Sequence, residues 1–161
     1  MQNILLSKAS LCFVVLVAFC FQLRAQSVKE HVDLFAKGEA VPPENFVGTV
    51  YANMLVTPQD GININAGIVT FEPGARSNWH SHAAGQVLYI TEGTGYYQEK
   101  GKAVELITKG NIMVCKPGIT HWHGASKGSS MTHIATVPDA NNPKATVWLK
   151  PVTDIEYNYN R

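Results

Sequence analysis

Five dipeptides that favour tight turns divide the chain from Val47 onward into short apolar stretches, and this constrains the fold more than any other feature. They are Asp60-Gly61, Pro73-Gly74, Glu92-Gly93, Lys109-Gly110 and Pro117-Gly118. The stretches between them are rich in Val, Ile, Thr and Tyr, which favour β-strands. Short strands joined by tight turns are typical of β-sandwiches and β-barrels. The sequence therefore predicts a single all-β domain.

Two patterns distinguish the predicted strands. Residues 63–71 and 131–137 alternate between apolar and polar side chains, which predicts one buried and one exposed face. Residues 87–93 and 111–118 are more continuously apolar, and we expect these two strands to be buried on both faces.

The N-terminus has the features of a secretory signal peptide. One early cation, Lys8, precedes an apolar run from Leu11 to Phe21, and Leu23 and Ala25 occupy the positions that a signal peptidase reads. The apolar run is shorter than the roughly 20 residues that a transmembrane helix needs. We expect cleavage after Ala25 and export to the periplasm or beyond, with no stable membrane anchor. A lipid-modified Cys20 is disfavoured by the bulky Phe19 before it.

The predicted organisation has three parts. Residues 1–25 form the signal peptide, residues 26–45 an N-terminal arm, and residues 46–161 the β domain. The arm contains spaced apolar residues up to a glycine at position 38, which predicts one short helix or a loosely ordered segment. The tail from residue 141 is polar and aromatic, and we expect it to close over one end of the barrel.

Charge and cysteine content exclude some partners. Without Lys8 and Arg24 the mature chain keeps 11 of the 13 basic residues against 12 acidic ones, with no basic run. Nucleic acids and anionic membranes are therefore not expected partners. Cys12 and Cys20 leave with the signal peptide, so Cys115 is the one remaining thiol and is predicted to be a small core residue.

Histidines concentrate in the predicted strands. His80 and His82 are two residues apart, so on a strand they point the same way, which suits either a metal site or two solvated side chains. Of the six histidines, only His31 lies away from the predicted inner strands, which carry His80, His82, His121, His123 and His133. This clustering favours a metal, since imidazole binds first-row divalent metals well. Trp79 and Trp122 alternate to the other side of their strands, which predicts packing in the core or at a subunit contact.

These residues fall into two motifs. Gly74, His80, His82, Gln86 and Gly93 have the spacing of the first cupin motif, with Gln86 where most members have glutamate. The second cupin motif is resembled by the stretch that contains Gly110, Pro117, Gly118 and His121. It departs from the motif at Lys116, where proline is usual, and at Ala125, where asparagine is usual. The chain is thus identified as a member of the cupins, and the resemblance implies a double-stranded β-helix, or jelly-roll barrel.

From about Asn45 to Tyr157 the sequence is also similar to small bacterial cupin hydroxynitrile lyases that use manganese. This resemblance implies four metal ligands, which are His80, His82, Gln86 and His121. It also implies that His123 and His133 line the substrate pocket as catalytic residues. Manganese is the expected divalent metal, with iron, zinc and nickel as other possibilities.

A ligand set made only of neutral groups leaves the ion its full charge of about +2, which favours Lewis-acid chemistry over oxidation. We expect a lyase for a small hydroxyl or carbonyl compound, with His123 or His133 as the base. A metal-dependent dioxygenase or isomerase, and a non-enzymatic binding or sensing protein, remain alternatives because the fold supports many functions. We also expect a homo-oligomer, either a dimer or a tetramer.

Overall fold

A computed structural model describes residues 35–158, and these form twelve β-strands, two short 3₁₀ helices and one short α-helix. The predicted signal peptide and the arm up to residue 34 lie outside the described residues. Within the described range, no helix combines the length and the apolar composition that crossing a membrane would require.

The strands occupy most of the domain. The 3₁₀ helices are Pro43–Asn45 and Pro58–Asp60, and the α-helix, α1, is Asp154–Asn158. The strands are β1 (Glu39–Ala40), β2 (Phe46–Val47), β3 (Val50–Val56), β4 (Ile64–Phe71), β5 (Arg76–Ser77), β6 (His80–His82), β7 (Gln86–Glu99), β8 (Glu105–Thr108), β9 (Ile112–Cys115), β10 (His121–Ala125), β11 (Met131–Pro138) and β12 (Thr146–Trp148).

Two antiparallel sheets share the long strand β7. In the first sheet the order is β1, β3, β4, β11, β7 and β9. In the second sheet β10 pairs with β7, β5 and β6, while β8, β2 and β12 extend it at the edges. The first half of β7 pairs with β11 and the second half with β10, so one continuous strand connects the sheets and curls them into a barrel.

Glycine permits the change of sheet within β7. Gly93 has a positive φ of 74°, and a Cβ there would lie 1.9 Å from the carbonyl oxygen of Ser130. Two residues later, a Cβ on Gly95 would lie 2.3 Å from the carbonyl oxygen of Gly124. Neighbouring strands therefore approach β7 at a distance that only glycine allows.

The core lies between the two sheets. Its fully buried side chains include Phe71, Leu88, Ile107 and Met131, and each contributes about 1.5–3 kcal/mol by leaving water. Cys115 is a buried free thiol in this cluster, which confirms the prediction for that residue.

The two tryptophans occupy a second apolar cluster. Trp79 and Trp122 are buried together with Val152 and Tyr157 of the tail, on the side of the second sheet that faces away from the core. Both tryptophans are buried by packing, as predicted, but in a cluster separate from the core between the sheets. The tail adds β12 to β6, and Val152 and Tyr157 beyond it pack on the outer face of the second sheet. That the tail closes over one end of the barrel stays a prediction.

The prediction that two strands are buried on both faces was wrong. Tyr89, Ile112 and Val114 are 41%, 58% and 64% exposed, whereas Leu88 and Cys115 are buried. The reason is that an antiparallel sheet needs to bury only one face, and a strand with apolar residues on both faces can still lie at its surface.

Candidate metal centre

Three histidines converge from two strands at the inner face of the second sheet. His80 and His82 lie on β6, and His121 lies on β10, where its Cα is directly opposite that of His80. Directly opposite residues of antiparallel strands project to the same face. One ring nitrogen from each histidine lies within 4.8 Å of the others. All three side chains are buried, so the cluster consists of nitrogen donors shielded from bulk water.

Backbone hydrogen bonds orient two of the rings. His80 Nδ1 lies 2.9 Å from the carbonyl oxygen of Asn78, and His121 Nδ1 lies 3.0 Å from that of Ile119. A carbonyl oxygen only accepts, so each Nδ1 carries the hydrogen and donates it. Each Nε2 therefore keeps a free lone pair, which is the form of imidazole that binds a metal.

Gln86 brings an amide oxygen to the same place. Its Oε1 lies 3.2 Å from His121 Nε2 at the first residue of β7. Because His121 Nδ1 carries the hydrogen, these two facing atoms are both acceptors, and a shared cation would stabilise the arrangement. His82 Nε2 is likewise buried without a hydrogen-bond partner among the described residues. Both observations fit a metal ion in this cluster.

The environment keeps the three histidines neutral. Burial lowers the pKa of His80 well below its usual value, and the nearby His121 lowers it further. Burial and His121 also lower the pKa of His82 to about 4. The pKa of His121 is lowered by burial as well. Neutral imidazoles do not need to lose a proton before they bind a cation, and the cluster can hold a divalent metal.

His123 and His133 stand beside this group. Their ring centroids are 5.0 Å apart, and that of His123 is 5.3 Å from that of His80. His123 Nδ1 and both ring nitrogens of His133 are buried and have no partner with hydrogen-bond geometry in the described chain. Burial lowers the pKa of His123 well below its usual value and that of His133 to about 4. The structure therefore places two neutral imidazoles next to the candidate metal ligands.

A cavity of ≈ 220 Å³ joins both groups of histidines. Its polar end is formed by His80, His82, Gln86, His123 and His133, whereas the remaining wall is mostly apolar: Phe46, Met54, Val69, Phe71, Ala135, Val137 and Trp148. Pockets for drug-sized ligands are typically about 300–1,000 Å³, so this cavity suits a smaller molecule.

The sequence interpretation missed two wall residues from the tail. Thr146 and Trp148 reach the cavity because β12 pairs with β6, which sets Thr146 opposite His82 and Trp148 opposite His80. The Trp148 ring centroid is 4.7 Å from that of His80. The residues from Thr146 to Trp148 are of types that favour a β-strand, but nothing in the sequence indicates its partner.

Comparisons with known proteins agree with this architecture. The family model described as a cupin domain matches residues 67–137. A protein of Granulicella tundricola named (R)-mandelonitrile lyase is 42% identical over 116 residues, which cover 72% of this chain and 88% of that protein. A crystal structure of a cupin-like protein from Thermotoga maritima is 40% identical, with a TM-score of 0.74, over 78% of this chain and 95% of that one.

A second Thermotoga maritima structure, a predicted oxalate decarboxylase, shares the fold at 17% identity, with a TM-score of 0.55 over 69% of this chain and 91% of that one. The predicted all-β cupin fold is thereby confirmed, and so is the resemblance to the lyase. On this evidence, the chain belongs to the cupin family.

Proposed function

We propose that this protein is a manganese-dependent lyase that cleaves or forms small α-hydroxynitriles. One observation carries the proposal: three neutral histidines cluster at one small cavity, and two of them line it together with a neutral glutamine and two further buried, neutral imidazoles. The 42% identity to a protein named (R)-mandelonitrile lyase supports the same reaction class.

The metal would be held by His80, His82, His121 and Gln86, which supply three imidazole nitrogens and one amide oxygen. None of these ligands neutralises the ion. When bound, the metal supplies Lewis acidity to a hydroxyl or carbonyl oxygen of the substrate. Mixed nitrogen and oxygen donors suit several first-row divalent metals, and manganese is favoured here by the resemblance to manganese-dependent cupin lyases.

The proton chemistry belongs to His123 and His133. Both are neutral near pH 7 because burial lowers their pKa values, so each can accept a proton. One of them accepts the hydroxyl proton of the hydroxynitrile as the carbonyl forms. The bonding electron pair between the two carbons leaves with cyanide, and the imidazolium returns its proton to cyanide to release hydrogen cyanide.

The cavity wall favours an aromatic substrate. Phe46, Phe71 and Trp148 supply aromatic faces, and the ring centroid of Phe46 is 6.0 Å from that of Phe71 and 5.6 Å from that of Trp148. An aryl group packed against these rings would leave the hydroxyl-bearing carbon at the histidine end. The apolar wall also limits water around the reacting atoms.

The test compares metal loading with turnover. Protein prepared without added metal is loaded separately with manganese, iron and zinc, and each form is assayed for release of benzaldehyde from mandelonitrile. Turnover that is highest with manganese, and lost in His133→Leu at unchanged metal content, supports the proposal. Oxygen uptake with iron would favour a dioxygenase, and metal binding without turnover on hydroxynitriles, sugars or catechols would favour a binding protein. Either result contradicts the proposal.

A further inference from the structure

The three candidate histidine ligands are not held in the same way. His80 and His121 each donate from Nδ1 to a carbonyl two residues earlier, so their own strands orient them. His82 has no such local partner. Its Nδ1 lies 3.1 Å from Thr146 Oγ1, which is 64 residues away along the chain.

The tail strand supplies the hydrogen-bond partner of the His82 ring. Thr146 lies directly opposite His82 in the β6–β12 pairing, so both side chains project to the same face. The Thr146 hydroxyl oxygen can accept a hydrogen from His82 Nδ1, and Nε2, which has no partner with hydrogen-bond geometry in the described chain, then carries the free lone pair.

Contacts beyond β12 fix its position. Arg76 donates from Nε and from one terminal nitrogen to the carbonyl oxygen of Val152, at 3.0 and 2.9 Å. The Tyr157 hydroxyl donates to the carbonyl oxygen of Ala125 at 2.7 Å, and both Val152 and Tyr157 are buried. On the other side, Ala83 donates to the carbonyl oxygen of Ala145 at 3.1 Å. Thr146 is therefore held between two anchored segments.

We propose that Thr146 is a positioning residue for the metal site, whose hydroxyl accepts the hydrogen of His82 Nδ1 and so keeps Nε2 free for the cation. The inference rests on the metal-binding part of the proposed function and not on the reaction. It assigns a role in the metal site to the C-terminal tail, which contributes no ligand.

Metal affinity gives the first test. The metal-free parent and three variants are titrated with Mn²⁺, and the free ion is followed by electron paramagnetic resonance. Thr146→Val removes the hydroxyl at nearly constant shape, whereas Thr146→Ser keeps it. Thr136→Val is the matched control, because Thr136 lies on the opposite face of β11 from the cavity residues Ala135 and Val137.

Loss of a group that orients a metal-bound histidine typically weakens affinity about 10- to 100-fold. We expect Thr146→Val to raise the dissociation constant for Mn²⁺ at least about tenfold. Thr146→Ser and Thr136→Val should bind as the parent does. Equal affinity in Thr146→Val, or an equal loss in Thr146→Ser, would overturn the role of the hydroxyl.

Nitrogen NMR of the histidine rings gives a second test, which also applies if Thr146→Val folds poorly. In the metal-free parent the His82 shifts should report a hydrogen on Nδ1, as those of His80 should. A hydrogen on Nε2 of His82 in the parent would overturn the inference even if the protein is an active lyase. Conversely, a parent that binds manganese with the expected variant pattern but has no lyase turnover contradicts only the proposed reaction. A parent that binds no divalent metal contradicts both.

Discussion

Replacing His133 with leucine separates a catalytic histidine from one that stabilises the core. The His133 side chain is 1% exposed and neither ring nitrogen has a partner with hydrogen-bond geometry. Burying an unpaired polar group costs about 1–3 kcal/mol, and water in the adjoining cavity would reduce that cost. Leucine is apolar and of similar size, so His133→Leu should leave the free energy of unfolding unchanged or raise it by up to about 3 kcal/mol.

The burial of His133 also predicts how the stability of the metal-free protein changes with pH. Burial lowers the pKa of His133 to about 4 in the folded chain, from 6.5 when the ring is exposed. Between these values the unfolded chain binds one more proton at this site, so the stability of the metal-free parent falls as the pH falls. The contribution is about 1.4 kcal/mol per pH unit, or about 2 kcal/mol at pH 5. The free energy of unfolding of His133→Leu should therefore fall by about 2 kcal/mol less than that of the parent when the pH is lowered to about 5.

Urea unfolding of both metal-free proteins near pH 7.5 and near pH 5 measures these quantities. Metal content and turnover of the manganese-loaded forms are measured on the same preparations. As a general base His133 would contribute about 10²- to 10⁴-fold, so turnover should fall by that factor while the metal content stays the same. A variant that is less stable by 1 kcal/mol or more at about pH 7.5 and still turns over as the parent does would refute the reasoning.

Three other changes test the site and the scaffold. Gln86→Glu should keep or tighten metal binding but lower turnover, since an added negative charge weakens the Lewis acid; equal rates across a pH profile would contradict this. Trp122→Ala should reduce the free energy of unfolding by about 3–5 kcal/mol, measured in urea, with the ligand set unchanged, because that side chain is fully buried in the second apolar cluster. Elemental analysis should find little metal after alanine substitution of a single ligand histidine and a normal content in the His123→Ala control; full occupancy in two of the ligand variants would exclude the assignment. Those variants are His80→Ala, His82→Ala and His121→Ala.

Much of the architecture follows from local sequence. Tight turns and strand-length apolar segments restrict a chain to an all-β fold, because they depend on residues that are neighbours along the backbone. The spacing of His80 and His82 is also a local feature, because two residues that are two positions apart on a strand must share a face. The sequence could therefore predict the barrel and the histidines that it brings together.

Strand exposure was harder to predict. The apolar run around Tyr89 and the one around Ile112 were both expected to be buried on each face, but the outer side chains are exposed. A run of apolar residues does not show whether another element packs over the outer face of the strand. Whether a second face is covered depends on whether another element packs there, and among the described residues none does so enough to bury these side chains.

Only the tertiary structure showed what surrounds the histidines. Thr146 reaches His82, and Trp148 reaches His80, through a pairing between β12 and β6 that joins segments far apart in sequence. The partnerless nitrogens of His133 are equally invisible in the sequence. Local spacing determined which side chains share a strand face, because chain geometry sets it directly. The neighbours of that face were decided by long-range pairing and packing, whose free energy depends on the whole folded chain.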